Sequence, residues 1–356
     1  MAATGTATDI AVVGWAQTPA VRRSPSTEVQ LLVPTITDAI AMAGLDRREI
    51  GFTCSGSCDY LTGGPFAFVQ NLEASGAWPP IAESHVEMDG AWALYEAWVR
   101  LQHGDIDTAL VFSSGKSSAS EPMELWPHQL DPYYLAPLGV DPASLAGLQA
   151  RALLDAGKAT ERDFAEVVAR SRRNGRANPN AQLTGEADVD ALLAEPYLRE
   201  PLRRHDLPPI GDGAAALVLA RGARARELCA RPAWIRGIDH RIEPHQPGMR
   251  DLTTSTSAAL AARKAGYDGG PLDLAELHAP FSPQEIVLRQ SLGLPEGTEV
   301  NPSGGALAAN VVMVAGLARV IEAAARIVDG GADRALAHAT NGQLLQHNLV
   351  CVLEGE

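Results

Sequence analysis

The stretch MDGAWALYEAWVRLQHGDIDTALVFSSG, Met88–Gly115, decides the fold because its pattern occurs twice in the chain. The second copy is SGGALAANVVMVAGLARVIEAAARIVDGGADRALAHATNG, Ser303–Gly342. Each copy has small residues and glycine where a helix is predicted to begin, a long apolar helix, a glycine turn, an aspartate and an Ala-Leu strand. This repeated unit predicts two similar halves, with a site where the N-termini of the two helices meet.

The halves are predicted to span residues 1–231 and 232–356. Strands alternate with helices along most of the chain, as in DIAVVGWAQTP (Asp9–Pro19) and the helical pattern that ends at Gly44, and this alternation is typical of α/β layers. A segment at about 116–207 differs, because it begins with a run dense in proline and aromatic residues and continues as helices. We expect it to be a loop region inserted into the first half.

Composition limits the class of protein. The chain has 356 residues, 46% hydrophobic and 20% charged, which predicts a globular core. A net charge of −14 argues against nucleic-acid or anionic-membrane partners. No apolar run reaches the roughly 18 residues of a membrane span, and the N-terminus lacks a secretory pattern, so we expect a soluble cytoplasmic protein. Cys54 and Cys58 have no second Cys or His pair, so no metal site is predicted.

Five features, taken in order, resemble the thiolase superfamily over essentially the whole chain. They are NGRANPNAQ (Asn174–Gln182), GDGAAALVL (Gly211–Leu219), AELHAPFSPQE (Ala275–Glu285), NPSGG (Asn301–Gly305) and the paired strands GDIDTALV and GADRALAH. The sequence is most similar to the sterol-carrier-protein-x and lipid-transfer-protein branches. The resemblance implies a five-layer αβαβα fold of two pseudo-repeated halves and a homodimer formed through the sheet edge. It also implies an acyl-CoA ligand, with coenzyme A as part of the substrate and no separate cofactor.

The departures from the family pattern bear on chemistry. The family's nucleophilic cysteine lies in a Cys-x-Ser-Gly pattern, and the matching residues here are Glu87, Met88, Asp89 and Gly90. The family's Gly-His-Pro base becomes Ala309-Asn310-Val311, and its second cysteine falls in HATNGQLLQHN, which has no cysteine. A carboxylate nucleophile would give a mixed anhydride, and an amide is no base near pH 7. Ordinary cysteine-dependent thiolase chemistry is therefore not expected.

Glu87, Asp89 and His85 are candidate catalytic residues at the first helix mouth, that is, at the N-terminus of the long helix in the first copy of the repeat. Glu87 can act as an acid or base there, or Ser84 and Glu87 can form a capping box. Asp89 can cap the helix or stabilise its positive end instead of doing chemistry. His85 alternates with Glu87 in an extended backbone, or is a satisfied core histidine.

Three more candidate catalytic residues follow from the resemblance. His278 lies in the loop where the family orders a catalytic water, and where the steroid-cleaving aldolase branch is expected to have a tyrosine. His338 ends a strand that faces the site in the family, as does Thr340, a candidate for substrate binding. Asn310 replaces the base but can donate a hydrogen bond to an enolate oxygen.

The remaining candidates are for binding substrate or CoA. Ser303, Gly304 and Gly305 lie where the backbone can approach a ligand, although close helix packing is an adequate alternative for the glycines. Arg173 and Arg176 belong to a basic cluster that either meets the CoA phosphates or is a solvated helix end.

Three functions are consistent with these residues. A retro-aldol lyase acting on a β-hydroxyacyl-CoA, such as a steroid or lipid side-chain thioester, needs a base and enolate donors but no thiol. Its family precedent works with a small OB-fold partner that often carries a zinc ribbon, which makes a heteromer plausible. The alternatives are a non-catalytic thiolase-like subunit of a complex, and an acyltransferase or thioester hydrolase using Glu87 as base.

Overall fold

A computed structural model describes residues 9–63, 65–76, 78–120 and 122–356. Its main feature is a ten-stranded mixed sheet with the order β10-β9-β11-β12-β8-β1-β7-β4-β2-β3. The strands of this sheet are β1 (Ile10–Gln17), β2 (Phe52–Gly56), β3 (Glu83–Val86), β4 (Thr108–Lys116), β7 (Asp212–Arg221), β8 (Ala233–Ile242), β9 (Leu274–Leu277), β10 (Glu299–Val300), β11 (Arg334–Asn341) and β12 (His347–Glu354). A separate two-stranded sheet consists of β5 (Tyr197–Arg199) and β6 (Leu202–Arg203).

The helices lie between the strands along the chain. They are α1 (Glu28–Met42), α2 (Asp59–Thr62), α3 (Ala67–Ser75), α4 (Gly90–Gln102), α5 (Pro122–Leu125), α6 (Pro142–Asp155), α7 (Glu161–Gly175), α8 (Val189–Ala194), α9 (Gly222–Leu228), α10 (Thr256–Lys264), α11 (Ser282–Leu292), α12 (Gly305–Ala308) and α13 (Ala315–Val328). Several begin at the polar N-cap side chains that the sequence offers, each accepting a backbone N–H: Thr27, Asp89, Asp141, Thr160 and Ser255.

The sheet consists of two halves with the same strand order and direction. In the first half the order is β1-β7-β4-β2-β3, and in the second it is β8-β12-β11-β9-β10. In both, the first two pairings are antiparallel and the last two are parallel. The halves join where β1 pairs antiparallel with β8. The predicted α/β fold of two pseudo-repeated halves is confirmed.

Five layers follow from which helices cover which face. One core packs α4 and α13 against strands of both halves, so these two helices form the central layer. A second core packs α1 against the other face of β1, β4 and β7. A third packs α10 and α11 against the other face of β9, β11 and β12. The central position of α4 and α13 brings their N-termini together.

The long helix of the second copy begins at Ala315, not at Ser303 as the repeat alone predicts. Gly304 and Gly305 have left-handed φ values of 96° and 64°, and Ala309 is extended. These conformations limit α12 to one short turn and break the helix before α13.

The segment between β4 and β7 supplies α5–α8 and the β5–β6 sheet, in keeping with the inserted region expected at about 116–207. The division of the chain at residues 231 and 232 stays a prediction, although β8 begins close to it. Within the described ranges, no helix is both long and apolar enough to cross a membrane.

Candidate functional site

Asp89 joins the N-termini of the two central helices. Its Oδ1 accepts hydrogen bonds from Ala91 N of α4 and Leu317 N of α13, and its Oδ2 accepts one from Gly316 N, all at 2.9 Å. The side chain is 2% exposed. Burial raises the pKa of Asp89, and the three N–H donors oppose that rise. Asp89 thus serves as the N-cap of α4 and also satisfies the first turn of α13.

Glu87 lies at the outer side of this helix mouth, the point where the N-termini of α4 and α13 meet. Its Oε1 accepts a hydrogen bond from Asp59 N at 2.5 Å, at the start of α2. Partial burial of the carboxylate raises the pKa of Glu87; the Asp59 N–H opposes this rise and the Asp59 carboxylate adds to it. The capping box expected of Ser84 and Glu87 is not formed, because Ser84 lies in β3 and α4 begins only at Gly90. Glu87 therefore takes no part in capping α4.

His85 is exposed and belongs to the packing of β3 against α3. Its ring stacks on Phe68, with 3.5 Å between ring centroids and 4° between planes. Its Nδ1 lies 3.4 Å from Glu83 Oε1. The core position considered from the sequence does not apply to this histidine, and a catalytic role for His85 stays a prediction.

His278 is held as one tautomer by two neighbours. Thr340 N donates to its Nδ1 at 3.3 Å, and its Nε2 lies 3.2 Å from Asn310 Oδ1. Since a backbone N–H can only donate, Nδ1 is the acceptor and the neutral ring carries its proton on Nε2. Burial lowers the pKa of His278 to about 3, so the ring is neutral near pH 7. His278 is therefore arranged as a hydrogen-bond donor to Asn310.

Asn310 then has its oxygen engaged and its amide nitrogen available to donate. It follows the break after α12, close to the N-terminus of α13, and is 8% exposed. The structure brings His278, Asn310 and Thr340 together, and Asp89 bonds to the first turn of α13, which follows Asn310 along the chain. The available donor of this group is the Asn310 amide nitrogen, in a largely buried setting where a donor to a developing oxyanion is most effective.

His338 lies on the other face of the sheet. Residues 337 and 339 pack into the core with α4 and α13, whereas Leu336 and Val350 pack with α10 and α11. Because side chains alternate along a strand, the His338 side chain points toward α10. Its Nε2 lies 2.9 Å from Asn348 Oδ1, and burial lowers the pKa of His338 to about 4. The structure does not bring this side chain to the helix mouth, and its catalytic role stays a prediction.

The glycines of the NPSGG segment are explained by packing. A Cβ on Gly304 would lie 2.6 Å from Ala308 Cβ and 2.9 Å from Gly175 Cα, and one on Gly305 would lie 2.8 Å from the Asn301 side chain. Both residues also have left-handed φ values. Close packing is therefore sufficient to require glycine here, and ligand binding by this segment stays a prediction.

Ser303 belongs to a buried ionic network. Its N and Oγ donate to Glu276 at 2.9 and 2.7 Å, and Arg319 Nη1 donates to Glu276 Oε2 at 2.8 Å. The network ties the strand that leads to His278 to the middle of α13. Sequence reasoning missed Glu276 and Arg319, because charged residues inside apolar patterns give no local signal of their partners.

The two candidate arginines lie at the end of α7, and both are exposed. Arg176 forms an ion pair with Glu186, which is also exposed. This is the solvated helix end considered from the sequence, and it leaves Arg173 and Arg176 reachable by a ligand. Contact with CoA stays a prediction.

Sequence reasoning also missed a small cavity beside Cys58, whose thiol interacts with Glu87. Ser57, Cys58, Leu61 and Met313 are among the residues that line a cavity of about 10 Å³. Met313 has a left-handed φ of 71°, and its carbonyl accepts hydrogen bonds from Gly90 N and Ser113 Oγ. Cys58 stood out only as half of a C-x₃-C pair. In the described ranges, no group of three or more His, Cys, Asp or Glu side chains is placed to hold a metal ion.

Comparison with known proteins adds to this geometry. No model of a known protein family matches the chain. The acetyl-CoA acetyltransferase of Methanothermobacter thermautotrophicus is 26% identical over 331 residues, which cover 83% of this chain and 85% of that protein. The 17-hydroxy-3-oxo-4-pregnene-20-carboxyl-CoA lyase of Mycobacterium tuberculosis is 24% identical over 311 residues, covering 80% and 78%. The chain is therefore similar to proteins of the thiolase superfamily.

A solved structure extends the thiolase-superfamily likeness over the full length. The structure of the Ltp2-ChsH2(DUF35) aldolase superposes with a TM-score of 0.79 and covers 99% of this chain and 98% of the matched chain. At 21% sequence identity, this match bears on the fold. Together these matches confirm the resemblance stated from the NPSGG, GDGAAALVL and AELHAPFSPQE segments.

Proposed function

We propose that this protein is an acyl-CoA lyase that cleaves a β-hydroxyacyl-CoA, such as a steroid or lipid side-chain thioester, by a retro-aldol reaction. The observation that carries the proposal is a replacement: Glu87 and Asp89 occupy the helix mouth where the superfamily keeps its cysteine pattern. A relative aligned over 80% of this chain is named as a carboxyl-CoA lyase. Carbon–carbon cleavage of this kind requires a base and oxyanion donors but no thiol.

The proposed reaction moves one proton away from the substrate and one back. A base removes the proton of the β-hydroxyl group, the Cα–Cβ bond breaks, and the Cβ–O group becomes a ketone or aldehyde. The electron pair of the broken bond forms the enolate of the shorter thioester. Protonation of Cα then gives the shorter acyl-CoA. The overall reaction needs no oxidant or reductant, and coenzyme A enters only as part of the substrate.

We assign the base to Glu87. It is an exposed carboxylate, and partial burial raises its pKa, which makes it a better proton acceptor than an ordinary carboxylate. His278 is less suited, because Thr340 N occupies its Nδ1 and its Nε2 carries a proton. Asp89 is less suited, because both of its oxygens already accept backbone N–H groups.

We assign the stabilisation of the enolate to Asn310. The hydrogen bond from His278 Nε2 to Asn310 Oδ1 polarises the amide and directs its nitrogen as the free donor. An N–H donor in a buried site stabilises a developing oxyanion more than it stabilises the ground-state thioester. Arg173 and Arg176 are proposed to contact the CoA phosphates. The Thr340 side chain shares the strand face of His338, so substrate contact by Thr340 stays a prediction.

We further propose that the protein works as a homodimer with a small acyl-CoA-binding partner of the OB-fold and zinc-ribbon type. The similar solved aldolase is named for two components, Ltp2 and ChsH2(DUF35). Co-expression of the chain with a protein of this type, followed by size-exclusion chromatography with light scattering, tests this assembly. Elution of the two chains as separate species would contradict it.

The reaction is tested by incubating the protein, alone and with its partner, with tertiary and secondary β-hydroxyacyl-CoA thioesters. Mass spectrometry should detect the ketone or aldehyde and the shorter acyl-CoA in equal amounts. Glu87→Gln and Asn310→Ala should each lower kcat by about 100-fold or more, while far-UV circular dichroism and the melting temperature stay near those of the wild type.

Glu227→Gln is the matched control, because it removes an exposed carboxylate that pairs with Arg224, and neither residue belongs to the proposed site. It should retain the wild-type kcat. Binding of the thioester without any cleavage, with or without the partner, would refute the lyase and favour a non-catalytic subunit. Cleavage that survives in both site variants would refute the assigned roles.

A further inference from the structure

The turn between β11 and β12 has an unusual backbone. Gly342, Leu344 and Leu345 have φ values of 73°, 59° and 58°, all in the left-handed region. Leu344 and Leu345 are also buried. A left-handed conformation costs a residue with a side chain about 1–2 kcal/mol. Two such leucines in one turn therefore require contacts from outside the turn to hold them.

Arg250 supplies the main contacts. Its Nη1 donates to Leu344 O at 3.1 Å and its Nη2 to Gln343 O at 3.4 Å. The guanidinium is buried, and its carboxylate neighbour, Glu243, is 4.0 Å away. Burial lowers the pKa of Arg250, so this placement is costly for the cation. The carbonyl groups of the turn are the close acceptors that compensate this burial.

Other bonds fix the same turn from the α10 side of the sheet. Asn348 Nδ2 donates to Leu345 O at 2.7 Å, and Glu243 N donates to Gln346 O at 2.8 Å. Asn348 also accepts the hydrogen bond from His338 described above. Thus His338 belongs to the polar network that holds the turn.

The turn is connected directly to the candidate site. Thr340 lies just before it, and Thr340 Oγ1 donates to His347 O at 2.9 Å, which ties the two ends of the turn together. Thr340 N is the donor that occupies His278 Nδ1. A change in the turn would therefore move the N–H group that sets the His278 tautomer.

We propose that Arg250 is a positioning residue that holds residues 342–346 in their left-handed form and thereby keeps His278 Nε2–H directed at Asn310. The inference rests on the proposed lyase function, because it assigns His278 and Asn310 their roles in that reaction. It adds to the proposed site a buried cation whose hydrogen bonds go to the turn carbonyls and not to His278 or Asn310.

The test compares Arg250→Met with Arg250→Lys in the full-length protein. Methionine keeps the length and apolar stem but donates to neither carbonyl, whereas lysine keeps the charge and one donor. The direct readout is the ring ¹⁵N spectrum of ¹⁵N-histidine-labelled protein without substrate, with His278 assigned from the loss of its signals in His278→Gln. The wild type should show His278 as the Nε2–H tautomer.

Arg250→Met should give a mixture of His278 tautomers and lower kcat by about 10-fold or more, with KM within about 2-fold. Arg250→Lys should restore most of both properties. Arg241→Met is the matched control, since Arg241 is a half-exposed arginine of β8 that pairs with Asp239, and it should change neither. A wild-type His278 spectrum and wild-type kcat in Arg250→Met would overturn the inference.

If Arg250→Met does not fold, Arg250→Gln takes its place: its shorter, neutral side chain cannot donate to both turn carbonyls, so the His278 signals should show both tautomers, and a wild-type spectrum would overturn the inference. If the wild type cleaves no β-hydroxyacyl-CoA, the proposed lyase function fails. The ring-nitrogen spectra then decide whether Arg250 positions His278, because they need no substrate.

Discussion

Replacing Asp89 should destabilise the protein more than replacing an ordinary helix cap, because one carboxylate caps two helices. Asp89→Ala leaves the N–H groups of Ala91, Gly316 and Leu317 without their acceptor. Loss of an N-cap side chain costs about 1–2 kcal/mol per helix, and a buried donor left unpaired costs about 1–3 kcal/mol. The relief of no longer burying a carboxylate offsets part of this loss. We expect a net loss of about 3 kcal/mol in the free energy of unfolding.

Asp89→Asn removes the acceptor for one of the three N–H groups. An asparagine with its oxygen in the Oδ1 position keeps the acceptor for Ala91 and Leu317 but presents an NH₂ group to Gly316 N–H. Two donors then face each other, so we expect a loss of about 1–2 kcal/mol, smaller than that of the alanine variant. The order wild type, Asn, Ala in stability is the specific signature of a doubly capping carboxylate.

The assay is urea unfolding of each variant followed by circular dichroism and tryptophan fluorescence, with the m-value compared with that of the wild type. Asp105→Ala is the control, because its carboxylate pairs with Arg100 at the surface and its loss should leave the free energy of unfolding close to that of the wild type. A loss below about 1 kcal/mol for Asp89→Ala, or an asparagine variant less stable than the alanine variant, would refute the double cap.

Three further predictions follow from the site. Gly304→Ala should lower the free energy of unfolding by about 3 kcal/mol in urea unfolding, because the new Cβ would clash with Ala308 and Gly175 and because the residue has a left-handed φ. Gly248→Ala is the control and should be nearly neutral, since the space around Gly248 is open. Acid should destabilise the protein below about pH 6.5, because His278 and His338 have folded-state pKa values of about 3 and 4 and the unfolded chain therefore binds more protons. Each histidine contributes about 1.4 kcal/mol per pH unit to the slope of the free energy of unfolding against pH. Urea unfolding of His278→Asn between pH 4.5 and 6 should show a smaller slope than the wild type. The value of kcat/KM should rise with pH as Glu87 loses its proton, at a pH above the ordinary pKa of a glutamate, and no second ionisation should come from His278. A second ionisation near pH 6.5 that disappears in His278→Asn would contradict the assigned tautomer.

The fold was predictable from the sequence because its repeat is local. Met88–Gly115 and Ser303–Gly342 each place a helix, a turn and a strand in order, and the small residues at the helix starts allow α4 and α13 to pack centrally. The capping alternative for Asp89 was also available from the sequence, because N-capping depends only on neighbours along the chain. Its bonds to α13 were not, since they join residues 227 and 228 positions apart.

The details of the site depended on contacts that have no local signature. His338 seemed to face the site because it ends a strand, but the face of a strand residue depends on which helices cover the sheet. Glu87 pairs with Asp59 N from 28 positions earlier, so the local Ser84–Glu87 spacing suggested the wrong partner. The tautomer of His278 is set by Thr340, and the turn beside Thr340 is set by Arg250. Each requires the assembled sheet.

The charge at the helix mouth gives a physical reason to prefer a lyase over acyl transfer. Two helix N-termini that meet at one point favour an anion there, which suits a thiolate or an oxyanion. In this chain the Asp89 carboxylate already accepts three of those N–H groups, and a second anion at the same point would be repelled by it. An enolate oxygen therefore needs a donor elsewhere, and Asn310, backed by the neutral His278, is a donor without a competing charge. Retro-aldol cleavage requires a base and a separate oxyanion donor. Glu87 and Asn310 are proposed for these two roles, and neither depends on the N–H groups that Asp89 already occupies.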